Sequence, residues 1–285
     1  MNLIELLHSV EIGEFAACQP CPWNPKKHKE NVDFGKSCIL HGIDWTKSDK
    51  AISMLIAQDP AGTTPSKTGN LCGVCNVQFS TDKSAQHGYA LWKAAVSLAD
   101  SGSEAKRFFN NHYWTNATMH GIKDDKQREI ARQCCEEILF EQIRILSPQV
   151  IIVTGKSAAE SLFNLKLISR HWDEFKENFS NRVYSEKVTL PSGQSSRVFC
   201  TFHGSATAVN THVARLYSKE TISEIQKRIE QLPDARPAQQ FLRQFPGYNA
   251  QDKGMRVLLL HWLDIGHEIR LANESSPQQA AGYLL

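Results

Sequence analysis

Three polar residues stand directly after short apolar segments of the chain: Asp59, Asn116 and His203. A carboxylate can position water or stabilise a developing positive charge, and an imidazole can donate to a leaving group. The Asn116 amide offers one acceptor and two donors, which suits recognition of a polar ligand edge. A simpler interpretation makes Asp59 and Asn116 turn formers at strand ends and His203 a structural histidine. The three residues can act together only if the fold brings them to one place.

Four short apolar or β-prone segments alternate with helical patterns in the middle of the chain. The strands are predicted at 51–57, 112–118, 150–154 and 197–202, and the helices at 88–99, 126–146, 157–163 and 219–232. This alternation predicts a three-layer α/β/α fold with a central, mostly parallel, four-stranded sheet. Ligands of such sheets bind beyond the carboxyl ends of the strands. Asp59, Asn116, Gly155 and His203 each follow one of these strands, so we expect them to converge.

The chain divides into three predicted parts. Residues 1–50 combine a short amphipathic helix with a segment rich in Cys, Pro and Lys, and residues 51–232 form the α/β domain. Residues 233–285 are predicted to be a helical extension, punctuated by prolines. The apolar face of its predicted helix at 254–272 suggests that the extension docks on the domain.

The composition is typical of a globular protein: 285 residues, 41% hydrophobic and 22% charged. The net charge of +2 and the pI of 8.1 are only mildly basic, so they do not themselves indicate a nucleic-acid partner. No apolar run reaches the roughly 18 residues of a membrane span, and the N-terminus lacks the pattern of a signal peptide. We therefore expect a cytoplasmic protein without a membrane partner, and a monomer.

Clustered cysteines in a reducing compartment favour metal or redox chemistry over disulfides. The chain has eight cysteines. Cys18-x2-Cys21 followed by Cys38-x2-His41 has the spacing of a zinc site. A third pair, Cys72-x2-Cys75, lies further along the chain. Alternatively, several of these thiols are small buried hydrophobic side chains.

The short motifs resemble those of the uracil-DNA glycosylase superfamily, closest to its iron–sulfur branch. AQDPA at 57–61 resembles the first motif of the superfamily, and TN at 115–116 resembles the TN of that branch. HGSA at 203–206 resembles the H-P-S-x motif, and 135–156 (CEEILFEQIRILSPQVIIVTGK) is similar to the helix–strand unit of the iron–sulfur branch. Each motif is weak alone, but four in order on elements of the right type form a specific pattern.

This resemblance implies a monofunctional DNA glycosylase, with DNA as its partner. Hydrolysis of an N-glycosidic bond passes through a cationic sugar. The resemblance therefore assigns to Asp59 the positioning of water and the stabilisation of this cation. It assigns His203 to the carbonyl oxygen of the departing base. The target base must leave the helix to reach such a site. The remaining expected contacts are to the base from Gln58, Asn116 and Cys72, and to phosphates from Ser66, Lys67, Gly204 and Ser205.

Three departures from the family pattern bear on which base is excised. Cys72 or Leu71 stands near the place where the family has a Phe that stacks on the flipped base, and loss of stacking gives up about 1–3 kcal/mol. Ala57 replaces the leading Gly of the first motif, and Gly204 replaces the Pro of H-P-S. The missing ring also opens volume, so a larger, modified base is an alternative substrate.

The iron–sulfur branch also suggests a metal centre. Cys18 and Cys21 match its N-terminal pair and Cys135 its helix cysteine, while His120 stands in the third position. Three Cys and one His can hold a 4Fe-4S cluster, since His ligation of iron–sulfur centres is known. Zinc bound through Cys18, Cys21, Cys38 and His41 is the alternative. Either metal would brace an irregular segment rather than transfer electrons.

Three further interpretations stay open. The enzyme could act on bulky modified bases of foreign DNA, such as phage DNA, in defence. A non-catalytic DNA-lesion-binding module on the same fold is a second interpretation. A redox protein built on the CxxC pairs is a third, and it requires an exposed thiol of low pKa.

Overall fold

The computed structural model of the chain describes residues 1–22, 24, 26, 50–58, 112–118, 125–174, 184–203, 217–232, 235–242 and 252–274. In chain order its helices and strands are α1 (Leu3–Glu11), β1 (Ser53–Ala57), β2 (His112–Asn116), α2 (Asp125–Leu146), β3 (Val150–Thr154), α3 (Lys156–Asn164), β4 (Tyr184–Thr189), β5 (Ser195–Thr201), α4 (Ile222–Glu230), α5 (Ala235–Leu242) and α6 (Lys253–Glu274). Most of the predicted elements are found within three residues of their expected bounds. The helix predicted at 88–99 lies outside the described residues.

The strands form one sheet in the order β2-β1-β3-β5-β4. Strands β2, β1, β3 and β5 are parallel to one another, and β4 is antiparallel to β5. The predicted α/β class with a mostly parallel sheet is therefore confirmed. The predicted number of four strands is wrong, because the described part of the chain contains a fifth, β4.

Strand β4 escaped prediction because it is a polar edge strand. Of its side chains, Val188 is buried, whereas Ser185, Lys187 and Thr189 are exposed, so the strand lacks an apolar run. A turn at residues 190–194 joins it to β5, closed by the Gly193 N–H, which donates to the Leu190 carbonyl at 2.8 Å. Gly193 has a φ of +79°, a conformation that favours glycine.

The middle of the sheet is covered on both faces. Every residue of β1 and β3 is buried, and successive side chains of a strand point to opposite faces. Helices α3 and α6 contact β3, and α6 also contacts β5 and α4. Both faces must therefore be packed, which gives the strands at the centre their continuous apolar sequences.

Two helices outside the predicted α/β core pack closely on it. Helix α1 begins with a capping box between Asn2 and Glu5 and contacts α2 through a small buried cluster. Helix α6 is buried at every position from 257 to 263, and its apolar side chains belong to the same core as the sheet. A helix that is buried around its whole circumference is a core helix.

Candidate active site at the carboxyl edge of the sheet

The four parallel strands end at the same edge of the sheet. Ala57 is in register with Asn116, and Thr154 is in register with Thr201. The ends of these strands therefore lie side by side. Asn116 is the last residue of β2, while Gln58, Gly155 and His203 follow the ends of β1, β3 and β5, respectively. Neighbouring strands lie about 4.8 Å apart, so the backbones of β2 and β5 are about 14 Å apart. Side chains from both ends can reach a nucleoside placed between them.

Backbone hydrogen bonds extend the pairing of β1 and β2 beyond the strand ends. The Ala117 N–H donates to the Ala57 carbonyl at 2.7 Å, and the Thr118 N–H donates to the Gln58 carbonyl at 3.1 Å. These bonds fix the backbone of Gln58, the residue directly before Asp59. Gln58 and Asn116 are both half-buried, so each is packed by the protein and still accessible.

Gly155 and His203 meet at the adjoining strand ends. The Gly155 N–H donates to the Thr201 carbonyl at 2.8 Å. Gly155 has φ +91° and ψ 171°, a combination that is essentially restricted to glycine. A Cβ at this position would lie 3.6 Å from the Cβ of the half-buried His203. The backbone of β3 thus turns away directly beside the imidazole-bearing residue.

Three of the predicted site residues, Gln58, Asn116 and His203, lie along the carboxyl edge of the sheet. The other predicted contacts lie outside the described residues: Asp59, Cys72, Ser66, Lys67, Gly204 and Ser205. Asp59 is bonded directly to Gln58, whose carbonyl is held at the site edge. The placement of Asp59 at this edge therefore stays a prediction.

A buried histidine behind the site was missed by sequence reasoning. His261 of α6 lies with Nε2 2.8 Å from the Tyr217 hydroxyl and with Nδ1 3.4 Å from the Thr201 hydroxyl. Burial, with a smaller contribution from the Arg228 charge, lowers the pKa of His261 to about 3. In the sequence, the only indication of a buried histidine was its position inside the apolar run VLLLHWL at 257–263.

Another buried histidine lies at the opposite edge of the sheet. His112 begins β2, and its Nδ1 lies 2.8 Å from the Ser53 hydroxyl of β1. Burial lowers its pKa to about 3, so the ring is neutral. His112 and Ser53 lie at the amino ends of their strands, away from the carboxyl edge of the sheet. They therefore belong to the core.

Two of the predicted metal ligands lie in one buried cluster. Cys18 packs with Cys135 of α2 beside α1, and the Cys21 N–H donates to the Cys18 carbonyl at 3.1 Å. Cys21 is also buried. Across the described ranges, no group of three or more His, Cys, Asp or Glu side chains is arranged to hold a metal ion. The other proposed ligands, His120, Cys38 and His41, are outside those ranges.

The described cysteine pair does not have the properties of a redox-active pair. Burial, followed by Cys134 and Glu137, raises the pKa of the Cys18 thiol to about 11. A reactive redox cysteine is exposed and has a lowered pKa. The redox interpretation is therefore not supported at Cys18 and Cys21, while Cys72 and Cys75 lie outside the described residues.

Within the part of the chain that the structure describes, no helix combines the length and apolar character needed to cross a membrane.

A search of curated proteins found no match to the chain. The family model of the uracil DNA glycosylase superfamily matches residues 49–228, well over half of the chain. That range includes β1 to β5 and their carboxyl edge, where Gln58, Asn116 and His203 lie. The chain therefore belongs to the uracil DNA glycosylase superfamily, whose members are DNA glycosylases.

Proposed function

We propose that the protein is a monofunctional DNA glycosylase that hydrolyses the N-glycosidic bond of a flipped-out uracil or modified pyrimidine and leaves an abasic site. The observation that carries this proposal is the convergence of Gln58, Asn116 and His203 at one edge of a sheet within the family match. A glycosylase needs groups for the base and groups for the water. The sequence supplies both kinds at these strand ends.

In the proposed reaction, water adds its oxygen to C1′ of the deoxyribose while the C1′–N bond breaks. Asp59 stabilises the cationic sugar and takes up the proton of the water. The bonding electrons leave with the base, and His203 donates to the carbonyl oxygen on which the negative charge develops. Asn116 hydrogen-bonds the polar edge of the base through its amide, which has both donors and an acceptor.

The half-burial of Asn116 and His203 supports these assignments. Full burial would hide both side chains from a ligand, and full exposure would let water compete for their hydrogen bonds. Gly155 adds to the argument, because its lack of a side chain leaves the space beside His203 open. A binding module that only recognised a lesion would not need an imidazole and a carboxylate placed for hydrolysis.

A metal centre is a separate proposal. Cys18, Cys21 and Cys135, with His120, would hold a 4Fe-4S cluster, and zinc through Cys18, Cys21, Cys38 and His41 is the alternative. Thiols are suitable donors for both metals, and two of these cysteines share one buried cluster. The group would brace the N-terminal segment against α2. Iron, sulfide and zinc content together with the visible absorption spectrum would distinguish the two.

The proposed function is tested by an excision assay on a panel of oligonucleotides and phage DNAs. The panel carries uracil, hypoxanthine, and hydroxymethylated or glycosylated cytosine, in single and double strands, and alkali-labile sites are scored. We expect Asn116→Ala to lose excision. Asn164→Ala, the same substitution at the far end of α3, is the matched control and should keep it.

The outcome also defines the substrate. Excision of uracil alone would place the protein with ordinary repair glycosylases and would mean that Cys72 does not alter the choice of base. Excision restricted to a bulky modified base would assign the substitution at Cys72 to specificity and favour a role against foreign DNA. DNA binding without excision of any base would refute the proposed activity and leave a lesion-binding module.

A further inference from the structure

His261 contacts two residues that flank, in sequence, the segment that begins with His203. Thr201 is the last residue of β5, two positions before His203, and Tyr217 is the next described residue after the HGSA segment. The Tyr217 hydroxyl lies 2.8 Å from Nε2 of His261, and the Thr201 hydroxyl lies 3.4 Å from Nδ1. All three residues are at most 1% exposed. One imidazole therefore connects Tyr217 and the end of β5 to helix α6.

A neutral imidazole is chemically suited to this position. It carries one N–H donor and one acceptor nitrogen, and each hydroxyl can either donate or accept. Both contacts are thus satisfied in either tautomer. Burial keeps the ring neutral by lowering the pKa of His261, and the nearby Arg228 charge acts in the same direction.

The partners of His261 are themselves held from other elements. The Thr201 carbonyl accepts from Gly155 at 2.8 Å, so Thr201 is fixed from β3 through its backbone and contacted from α6 through its side chain. The Arg228 guanidinium of α4 lies 5.8 Å from the centre of the Tyr217 ring and donates to Glu220 at 2.9 Å. His261 sits where α4, α6 and the end of β5 meet.

Helix α6 is anchored along β5 at a second, more distant point. Arg197, near the start of β5, donates to Glu268 of α6 at 3.1 Å. The helix therefore runs antiparallel to β5. Glu268 lies near the amino end of the strand, and His261 lies near the carboxyl end of the strand. Only the His261 contact is close to the site edge. The two anchors can be separated by experiment.

We propose that His261, through its bonds to Tyr217 and Thr201, is a positioning residue that sets the placement of His203 at the site edge. This inference rests on the proposed function for its kinetic consequence. It goes beyond the family match, because α6 lies outside residues 49–228. His261 does not touch the substrate. It acts through Thr201, which lies two residues before the residue that does.

The first test compares Tyr217→Phe and Thr201→Val with Ile269→Val. Each of the first two removes one hydroxyl and keeps the shape of the side chain. Ile269→Val removes one methyl group from the buried face of α6, eight residues after His261, and controls for a simple loss of stability. We expect Tyr217→Phe to lower the single-turnover rate of base excision by about five- to tenfold, the rate equivalent of one neutral hydrogen bond. The Kd for DNA should not change, and Ile269→Val should react like the wild type.

The second test does not depend on activity. The imidazole ¹⁵N and ¹H resonances of His203, assigned by their loss in His203→Asn, are compared between the same variants. A shift in Tyr217→Phe and Thr201→Val but not in Ile269→Val supports the proposal, even if the wild type excises no base and the proposed function fails. Unchanged His203 resonances would overturn it. So would an active wild type in which Tyr217→Phe matches Ile269→Val in rate, or loses DNA affinity instead of rate.

Discussion

Replacement of Gly155 by alanine should damage both the stability of the fold and the candidate active site. Gly155 joins β3 to α3 with φ +91° and ψ 171°. Residues other than glycine held in this region cost about 1–3 kcal/mol. At roughly 2–4 °C per kcal/mol for a domain of this size, we expect Gly155→Ala to lower the Tm by about 5 °C.

The effect on activity follows from the neighbour of Gly155. The new Cβ would lie 3.6 Å from the His203 Cβ, an ordinary contact distance, so the side chain itself fits. The cost instead comes from the backbone, which can relieve its strain only by moving the peptide whose N–H donates to Thr201. Such a shift displaces the strand end that carries His203. Since a misplacement of about 1 Å can cost 100-fold in rate, we expect a fall in the single-turnover excision rate between about tenfold and about 100-fold.

Gly193→Ala is the matched control. Gly193 also has a positive φ, +79°, but no atom lies within 4 Å of the position of its added Cβ. It belongs to the turn before β5, at the edge of the sheet opposite to the site. The control should lose about 1–2 kcal/mol of stability and keep its excision rate. Thermal unfolding and single-turnover excision measure both quantities. A Gly155→Ala enzyme with wild-type rate, or equal loss of rate in both variants, would refute this reasoning.

Three further predictions concern acid stability, the acid at the site and the C-terminal helix. The pKa values of His112 and His261 are lowered to about 3, so their stabilisation is present above pH 6.5 and is lost as pH falls from 6.5 towards 3. Urea unfolding should show a loss of about 4 kcal/mol between pH 7 and pH 5, and a flat profile there would contradict it. Asp59→Asn should abolish excision while the Kd for DNA stays near the wild-type value; equal activity would remove Asp59 from the mechanism. A chain that ends at residue 232 should lack a cooperative unfolding transition by circular dichroism, and a sharp transition would show that α6 is dispensable.

The sequence predicted the centre of the fold well because physical constraints there are strongest. Strands β1 and β3 are buried on both faces, so their sequences must be continuous apolar runs, and these are visible without any partner. The end of each run places Gln58 or Gly155 at the carboxyl edge of the sheet. Strand β4 is exposed at the edge of the sheet, so no comparable constraint marks its sequence.

The geometry of the site depends on long-range contacts that periodicity cannot reveal. His261 lies 60 residues from Thr201 and 44 from Tyr217, and within its own segment it is only a histidine among apolar residues. Similarly, the sequence identifies Gly155 as a glycine, but its φ and its closeness to His203 are set by the packing of β3 against β5. Backbone strain and buried polar pairs are properties of the assembled fold.

The family match therefore does not mark the limits of the folding unit. Helix α6 begins after the matched range yet buries nine apolar side chains: Met255, Val257, Leu258, Leu259, Leu260, Trp262, Leu263, Ile265 and Ile269. At about 1.5 kcal/mol or more for each, their burial contributes more than about 10 kcal/mol before the entropy cost of ordering the helix is subtracted. The same helix carries His261 to the end of β5. Since the burial that stabilises the sheet and the contact near His203 come from one element, we expect loss of α6 to destabilise the fold and the site together.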